Sequence, residues 1–146
     1  MPRFVLSLLL VSVLNACSAG GPEFTAPAAP PDKAVIWLFR PSTVVGGGNT
    51  DHVGVNGTYV VALDIGEYYA HEVAPGPVSI EFRQTAPWGF VALRLLQELG
   101  DFEEVLSFQA KAGQNYYVEF SEADLVDAAR AGSRIGAMSQ ATPVAK

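Results

Sequence analysis

Residues 52–63, with the sequence HVGVNGTYVVAL, place two strand-forming segments on either side of an Asn56-Gly57 pair. An Asn-Gly pair between such segments is the strongest short signal for a hairpin, because a type I′ turn needs a positive φ angle at both of its central residues. The sequence therefore predicts a β-hairpin formed by His52 to Asn56 and Thr58 to Leu63.

Further strand signals lie on both sides of this hairpin. The segment AVIWLF at 34–39 is continuously apolar, which is typical of a strand buried on both faces. Segments 78–83, 106–111 and 116–120 alternate apolar and polar residues, so they predict strands with one buried and one solvated face. With one more strand at 67–73, the chain has about seven short strands separated by turn signals. This pattern predicts an all-β fold, an immunoglobulin-like or transthyretin-like β-sandwich.

Two helices are predicted beside the strands. In segment 87–100, apolar residues follow the i, i+3, i+4, i+7 spacing of a short amphipathic helix: Ala92, Leu95, Leu96 and Leu99. We expect its apolar face to cover the sandwich or a sheet edge; contact with a partner helix or with a membrane interface is the alternative. A second helix is predicted to begin after Ser121, whose hydroxyl suits an N-cap, and to end by Gly132, before a loose tail at 136–146.

The start of the chain has the layout of a secretory signal peptide that ends in a cysteine. Arg3 precedes the apolar run from Phe4 to Leu14, whose eleven residues are too few to span a membrane. The sequence Leu14-Asn15-Ala16-Cys17 resembles the bacterial lipobox, whose cysteine is acylated and becomes the first residue of the mature chain. We expect residues 1–16 to be a signal peptide and Cys17 to carry lipid; ordinary cleaved secretion and an uncleaved anchor are the alternatives.

This anchor predicts where the protein resides. Each buried methylene contributes about 0.8 kcal/mol, so two or three acyl chains hold a protein stably on a membrane. Ser18 stands where Asp would favour inner-membrane retention, which favours the outer membrane of a bacterial cell envelope, with the protein facing the periplasm. Because residues 18–32 are mostly Gly, Ala and Pro, we expect 17–32 to form the lipidated cysteine and an extended tether. Residues 33–120 then form the β-sandwich domain, and 121–146 form the C-terminal helix and tail.

Composition argues against several classes of partner and of chemistry. The chain carries 15 acidic and 9 basic side chains, and its net charge of −6 argues against nucleic acid and against electrostatic docking on anionic lipid. Cys17 is the single cysteine. If it carries lipid, no thiol remains for a disulfide bond or for redox chemistry, so a packed core alone must stabilise the fold.

Several short motifs occur in an order that resembles a known family. They are Arg40-Pro41-Ser42 after the apolar strand, Val55-Asn56-Gly57, Leu63 and Gly66 ahead of Tyr68-Tyr69, Val73 before Pro75-Gly76, and Ala112-Gly113-Gln114-Asn115-Tyr116-Tyr117-Val118. Together with the lipobox, this order is similar to that of the small bacterial lipoproteins grouped as domain of unknown function twenty-eight forty-six. The resemblance covers about Ala34 to Glu119. It implies a compact β-sandwich and brings no established activity.

Residues with catalytic or metal-binding chemistry are few and scattered. His52 and His71 each lie beside a carboxylate in sequence, but neighbours along a strand point to opposite faces and do not converge on one metal ion. We expect solvated histidines at strand ends. The acids within 101–104 predict a charged loop or strand start, and Gly46 to Gly48 lacks the Lys and Ser or Thr of a phosphate-binding loop. The sequence therefore predicts no enzyme, no cofactor and no metal site.

The remaining candidates are apolar and aromatic residues that suit a binding surface. They are Val45 in the glycine-rich loop, Tyr68 and Tyr117 on strands, and Trp88 and Phe90 before the first helix. The sequence as a whole predicts a non-enzymatic, membrane-anchored periplasmic lipoprotein that acts as a binding or envelope-assembly module. Its predicted partners are the membrane, through the lipid on Cys17, and an envelope protein, with the oligomeric state left open. A sandwich that binds glycans or small ligands, or one that inhibits a hydrolase, is the alternative.

Overall fold

The computed structural model describes residues 23–42, 49–85, 101–121 and 123–144. Within them the chain forms nine strands and one helix. The strands are β1 Ala34–Arg40, β2 Thr50–Val55, β3 Thr58–Leu63, β4 Glu67–Val73, β5 Gly76–Thr85, β6 Glu103–Ala110, β7 Asn115–Glu119, β8 Asp124–Val126 and β9 Ser139–Gln140. The helix, α1, is Ala128–Ile135 and lies between β8 and β9 in the chain. No helix in these segments is long and apolar enough to cross a membrane.

The strands form two sheets that pack against each other. One has five strands in the order β8-β7-β1-β4-β9, and the other has four in the order β3-β2-β5-β6. The β1–β7 and β4–β9 pairs are parallel, and the other pairs are antiparallel. This arrangement confirms the predicted all-β sandwich. Each of the seven predicted strands is present, and β8 and β9 are additional.

The β2–β3 hairpin forms at the predicted turn. Asn56 has a φ of 51° and Gly57 a φ of 74°, so both central residues have the positive angles of a type I′ turn. The Asn56 side chain also accepts a hydrogen bond from the Ser79 amide at 2.8 Å. The turn is thereby fixed to β5, the strand that pairs with β2 on its other side.

Strand β1 is buried on both faces, as its continuous apolar sequence predicts. Ala34, Ile36 and Leu38 lie in the core between the two sheets. Val35, Trp37 and Phe39 alternate with them and face the other way, into a second apolar cluster on the outside of the five-stranded sheet. A strand in the middle of such a sheet can be apolar throughout only when something covers its outer face.

Two segments provide that cover: α1 and residues 23–29. Ala131 and Ile135 of α1 are buried in the outer cluster, and Phe24 packs against the Trp37 ring at 4.9 Å between centroids. The Phe24 amide donates to the Gly132 carbonyl at 3.1 Å. A Cβ atom at Gly132 would lie 2.7 Å from the Phe24 carbonyl oxygen, so this close approach requires a glycine. We call residues 23–29 together with α1 the outer cover.

The predicted tether differs from the structure over the residues that belong to the outer cover. The sequence predicts an extended tether over 17–32, but Phe24, Ala26 and Ala29 of this segment pack on the five-stranded sheet. Asn115 explains much of this difference, since its amide donates to the Pro27 carbonyl at 2.9 Å while its oxygen accepts from the Trp37 indole at 3.1 Å. Composition alone does not reveal such a contact, because the partners lie far apart in sequence.

The C-terminal region also differs in detail from the prediction. Helix α1 is capped by Asp127, which accepts from the Arg130 amide at 2.8 Å, and it continues to Ile135 instead of ending by Gly132. Ser121 does not cap it; its hydroxyl donates to Glu119 at 2.7 Å. The expected loose tail contains β9, which pairs with Glu67 and Tyr68 of β4. The predicted helix within 87–100 and the predicted signal peptide lie outside the described residues.

Candidate functional site

An open cleft of about 440 Å³ lies between β3 and β4 at one side of the sandwich. Tyr69, His71 and Val73 alternate along β4 and face the opposite sheet, because the β1 residues paired with them lie in the core. The prediction of a solvated His71 at a strand end therefore needs refinement: its half-buried ring lines the cleft. The cleft is lined by Val55, Asn56, Thr58, Tyr59, Val60, Tyr69, His71, Glu72, Val73, Ala74, Pro143 and Val144.

The C-terminal segment 139–144 closes one end of this cleft. The Ala141 amide donates to the Tyr68 carbonyl of β4 at 2.8 Å, and the Val144 amide donates to the Val60 carbonyl of β3 at 3.1 Å. Pro143 forms an isolated bridge with Val61. The segment thus crosses from one sheet to the other, and its Pro143 and Val144 line the cleft.

The cleft combines an apolar floor with a few polar groups. Val55, Val60 and Val73 belong to the buried core, whereas the Tyr69 and His71 rings lie 6.2 Å apart between centroids. At the rim, the Glu72 carboxylate accepts from the Lys33 ammonium at 2.7 Å. That hydrogen bond and the Glu72 charge raise the pKa of Lys33 above its usual value. An apolar surface with few convergent polar groups is the usual character of a binding site.

A second group of side chains lies on the outer face of the four-stranded sheet. His52 Nδ1 and the Tyr59 hydroxyl are 2.7 Å apart, and the Tyr59 and Phe102 rings are 5.7 Å apart between centroids. The Arg83 guanidinium lies 4.9 Å from the centre of the Phe102 ring. We call these four residues the aromatic cluster. Burial raises the pKa of Tyr59, and the nearby Arg83 charge opposes that effect.

A β-bulge places Tyr59 in this cluster. The register pairs Val53 with Val61 but Gly54 with Tyr59, so Val60 is an extra residue in β3. Without it, strand alternation would turn Tyr59 toward the core instead of toward the His52 side. Gly54 leaves room for the neighbouring Glu81 side chain, since a Cβ atom there would lie 2.7 Å from the Glu81 carboxylate.

The residues proposed from sequence are divided among several places. Tyr68 and Tyr117 share the outer cluster of the five-stranded sheet, where both are half-buried beneath the outer cover. Tyr68 lies 5.8 Å from Phe24 between ring centroids, and burial raises the pKa of Tyr117. Neither tyrosine lines the cleft. The remaining proposed residues lie outside the described part of the chain: Cys17, Val45, Trp88 and Phe90.

Sequence reasoning did not find the cleft, the roles of Tyr59 and Phe102, or the buried charges. One such charge is Arg40, whose Nε lies 3.0 Å from the Asp51 carboxylate. The position of Arg40 at the end of an apolar strand was the sequence signal that could have indicated this buried charge. Within the described ranges, no three residues among His, Cys, Asp and Glu converge in a way that could hold a metal ion.

The fold and these surfaces define a two-sheet β-sandwich with an open cleft at one side. Residues 30–133 match the family model described as protein of unknown function DUF2846, and the chain belongs to this family. The match begins directly after the N-terminal part of the outer cover, which ends at residue 29, and it ends within α1. It confirms the family resemblance carried by the short motifs. No curated protein and no solved structure matches the chain.

Proposed function

We propose that this protein is a lipid-anchored protein of the bacterial cell envelope that serves as a binding or assembly module and is not an enzyme. The observation that carries the anchor is the sequence Leu14-Asn15-Ala16-Cys17 after an apolar run of signal-peptide length. On this proposal, lipid on Cys17 holds the protein at the outer membrane, and the sandwich faces the periplasm.

The docking of Phe24 supports a shorter tether than the sequence predicts. Seven residue steps separate Cys17 from Phe24, and a fully extended chain covers at most about 3.6 Å per step, or roughly 25 Å. A free segment up to Asp32 would reach roughly 45 Å as polyproline II. The sandwich is therefore proposed to lie close to the bilayer that its lipid occupies.

The cleft supports the binding role. Its volume of about 440 Å³ lies within the usual range for ligand sites, roughly 300–1,000 Å³. The walls come from paired strands, so they are held in place by the hydrogen bonds of both sheets. This is the geometry of a surface that receives a partner on a rigid support.

Recognition of a glycan or small ligand is a second candidate, and the aromatic cluster favours it. Tyr59 and Phe102 are half-buried aromatic rings that lie beside the polar groups of His52 and Arg83, a combination of residues typical of glycan sites. We expect a thermal shift with fragments of envelope glycans that is reduced by Phe102→Ala. A flat response to the whole panel would eliminate this candidate. Inhibition of a basic hydrolase, which the net charge of −6 would attract, remains an alternative.

Labelling with a fatty acid in growing cells tests the anchor. We expect the wild-type chain and the matched variant Ser18→Ala to incorporate the label and to fractionate with the outer membrane. Cys17→Ser removes the sulfur that forms the thioether, so it should incorporate none and lose its outer-membrane association. Label on Cys17→Ser, or no label on the wild-type chain, would refute the proposal.

A further inference from the structure

We infer that the cleft between β3 and β4 binds an extended polypeptide segment of a partner protein, which adds a strand to the open edge of β4. This inference deepens the proposed binding role by naming the class of partner. It does not depend on lipid at Cys17, so the two proposals can fail separately.

The first observation is the open edge itself. The Gly66 and Tyr68 carbonyls of the β4 edge accept from the Ser139 and Ala141 amides. Because alternate residues of a strand direct their N–H and C=O groups to the same side, Ala70 and Glu72 present theirs on this side too. β9 pairs with Glu67 and Tyr68, and within the described ranges no strand continues along the edge to Ala70 and Glu72.

The second observation is that this side of the sandwich already accepts an extended segment. Residues 139–144 pair first with β4 and then with β3, and Ala141 is buried to 5% exposure. Val60, Pro143 and Val144 all line the cleft, so this segment lies directly beside it. The chain's own C-terminal segment therefore shows which kind of ligand the neighbouring surface fits: an extended backbone with small apolar side chains.

The third observation is the match in length and chemistry. The cleft follows five residues of β4, Tyr69 to Val73, and four steps of about 3.3 Å give roughly 13 Å, the length of a short peptide strand. Inward-facing side chains of such a strand would meet the apolar floor at Val55 and Val60. An acyl chain fits less well, because it offers no hydrogen bond to the N–H and C=O groups of the edge. The net charge of −6 favours a peptide with basic flanking residues.

The test uses a displayed library of random seven-residue peptides, selected on the immobilised mature domain. Glu72→Ala is the matched control, because it removes the carboxylate and keeps the backbone N–H. Glu72→Pro should bind the selected peptides roughly tenfold more weakly than Glu72→Ala, because it has no N–H to donate to a peptide carbonyl. Both variants lose the ion pair between Lys33 and Glu72, so a difference in peptide binding between them does not come from the lost carboxylate. Pro is tolerated at a strand edge whose N–H points away from the paired strand.

Amide hydrogen exchange provides a measurement that needs no variant. A selected peptide should slow exchange at the Ala70 and Glu72 amides of the wild-type chain and leave the exchange rate at the His52 amide, in the other sheet, unchanged. Three outcomes would overturn the inference. They are binding of the selected peptides to folded Glu72→Pro as tight as to Glu72→Ala, slowed exchange confined to the aromatic cluster, and failure to select any peptide. Slow exchange at the same amides in a dimer without peptide would assign the edge to a second copy, and that also would overturn it.

Discussion

Arg40 holds the two sheets together at the end of β1. Its side chain is 9% exposed, that of Asp51 is 3% exposed, and the two groups are 3.0 Å apart. The guanidinium also donates to the Asn49 carbonyl at 2.6 Å and to the Leu63 carbonyl at 3.2 Å. One side chain of the five-stranded sheet therefore satisfies groups from β2, β3 and the segment before β2. Removal of this charge takes the Arg40 guanidinium away from a carboxylate that lies in the interior.

We expect Arg40→Met to lower the free energy of unfolding by about 3–5 kcal/mol, the usual cost of breaking a buried ion pair from one side. Urea denaturation of the purified domain measures this change. Lys33→Met is the control, since its ion pair with Glu72 is exposed and should matter little. Similar losses of unfolding free energy in Arg40→Met and Lys33→Met would show that the buried Arg40 ion pair does not hold the two sheets together.

Ionisation of Tyr59 and Tyr117 should lower the stability of the folded chain at alkaline pH. Burial raises the pKa of both phenols above the ordinary value of 10.0. A raised pKa in the folded state means that the folded chain holds the proton longer than the unfolded chain. Their contribution to stability is therefore complete below pH 10 and is lost as the pH rises through the folded-state pKa.

The melting temperature should fall above about pH 10, and it should fall less steeply in Tyr117→Phe. This variant keeps the ring that packs beneath the outer cover and removes the titrating group. Thermal denaturation at several pH values, together with the ultraviolet absorbance of tyrosinate, measures both effects. An identical alkaline decline in the variant and the wild-type chain would contradict the assignment to Tyr117.

At the scale of elements, α1 is fixed to the outer face of the five-stranded sheet by a buried carboxylate on β7. Glu119 of β7 is fully buried; it accepts from Arg130 Nε at 2.9 Å and also pairs with Arg134. Both arginines come from α1, one helical turn apart, so they reach the same carboxylate. This contact and the burial of Ala131 and Ile135 hold the helix over Trp37 and Phe39.

The C-terminal segment 139–144 also joins elements, at the side of the sandwich where β4 and β3 lie, because it forms hydrogen bonds to both strands. Deletion of residues 139–146 removes its hydrogen bonds to Gly66, Tyr68 and Val60 and exposes more of the β3 and β4 edges. We expect the shortened chain to melt at a lower temperature and to self-associate through its open edges. Analytical ultracentrifugation over a range of concentrations measures the association. A shortened chain that stays monomeric and equally stable would show that the segment does not protect these edges.

Local signals in the sequence were sufficient for most elements and insufficient for others. Asn56-Gly57 and the alternating strands are short-range patterns, so the hairpin and the strand positions could be predicted. Strand β9 has two residues, too few to show a period, and it exists because β4 offers an edge. The packing of Phe24 depends on Trp37, and the outward direction of Tyr59 depends on one extra residue in β3. Both follow from long-range pairing that one sequence does not display.

At the scale of the whole molecule, the proposed lipid on Cys17 and the docked segment together predict which face lies toward the membrane. Phe24 is fixed on the outer cover, and the chain between it and Cys17 reaches roughly 25 Å at most. With lipid on Cys17, the outer cover should therefore lie toward the bilayer. The outer face of the four-stranded sheet, with the aromatic cluster, should point toward the periplasm, and the cleft should open to the side.

Energy transfer on liposomes tests this orientation. Ser133→Cys on α1 and Ser107→Cys on β6 are matched exposed positions on opposite faces, and an acylated Cys17 leaves the new thiol free for a dye. We expect stronger transfer to acceptor-labelled lipids from Ser133→Cys than from Ser107→Cys. A linker of about ten Gly and Ser residues inserted after Gly20 should reduce the difference. Equal or reversed transfer without the linker would contradict the proposed orientation.

The most direct test of the central claim is mass spectrometry of the N-terminal peptide of the protein purified from bacterial membranes. The proposed lipid anchor predicts a mature chain that begins at Cys17 and carries acyl chains on its sulfur and its amine. A chain that begins at Met1, begins at another residue, or carries an unmodified Cys17 would contradict the anchor and the orientation derived from it.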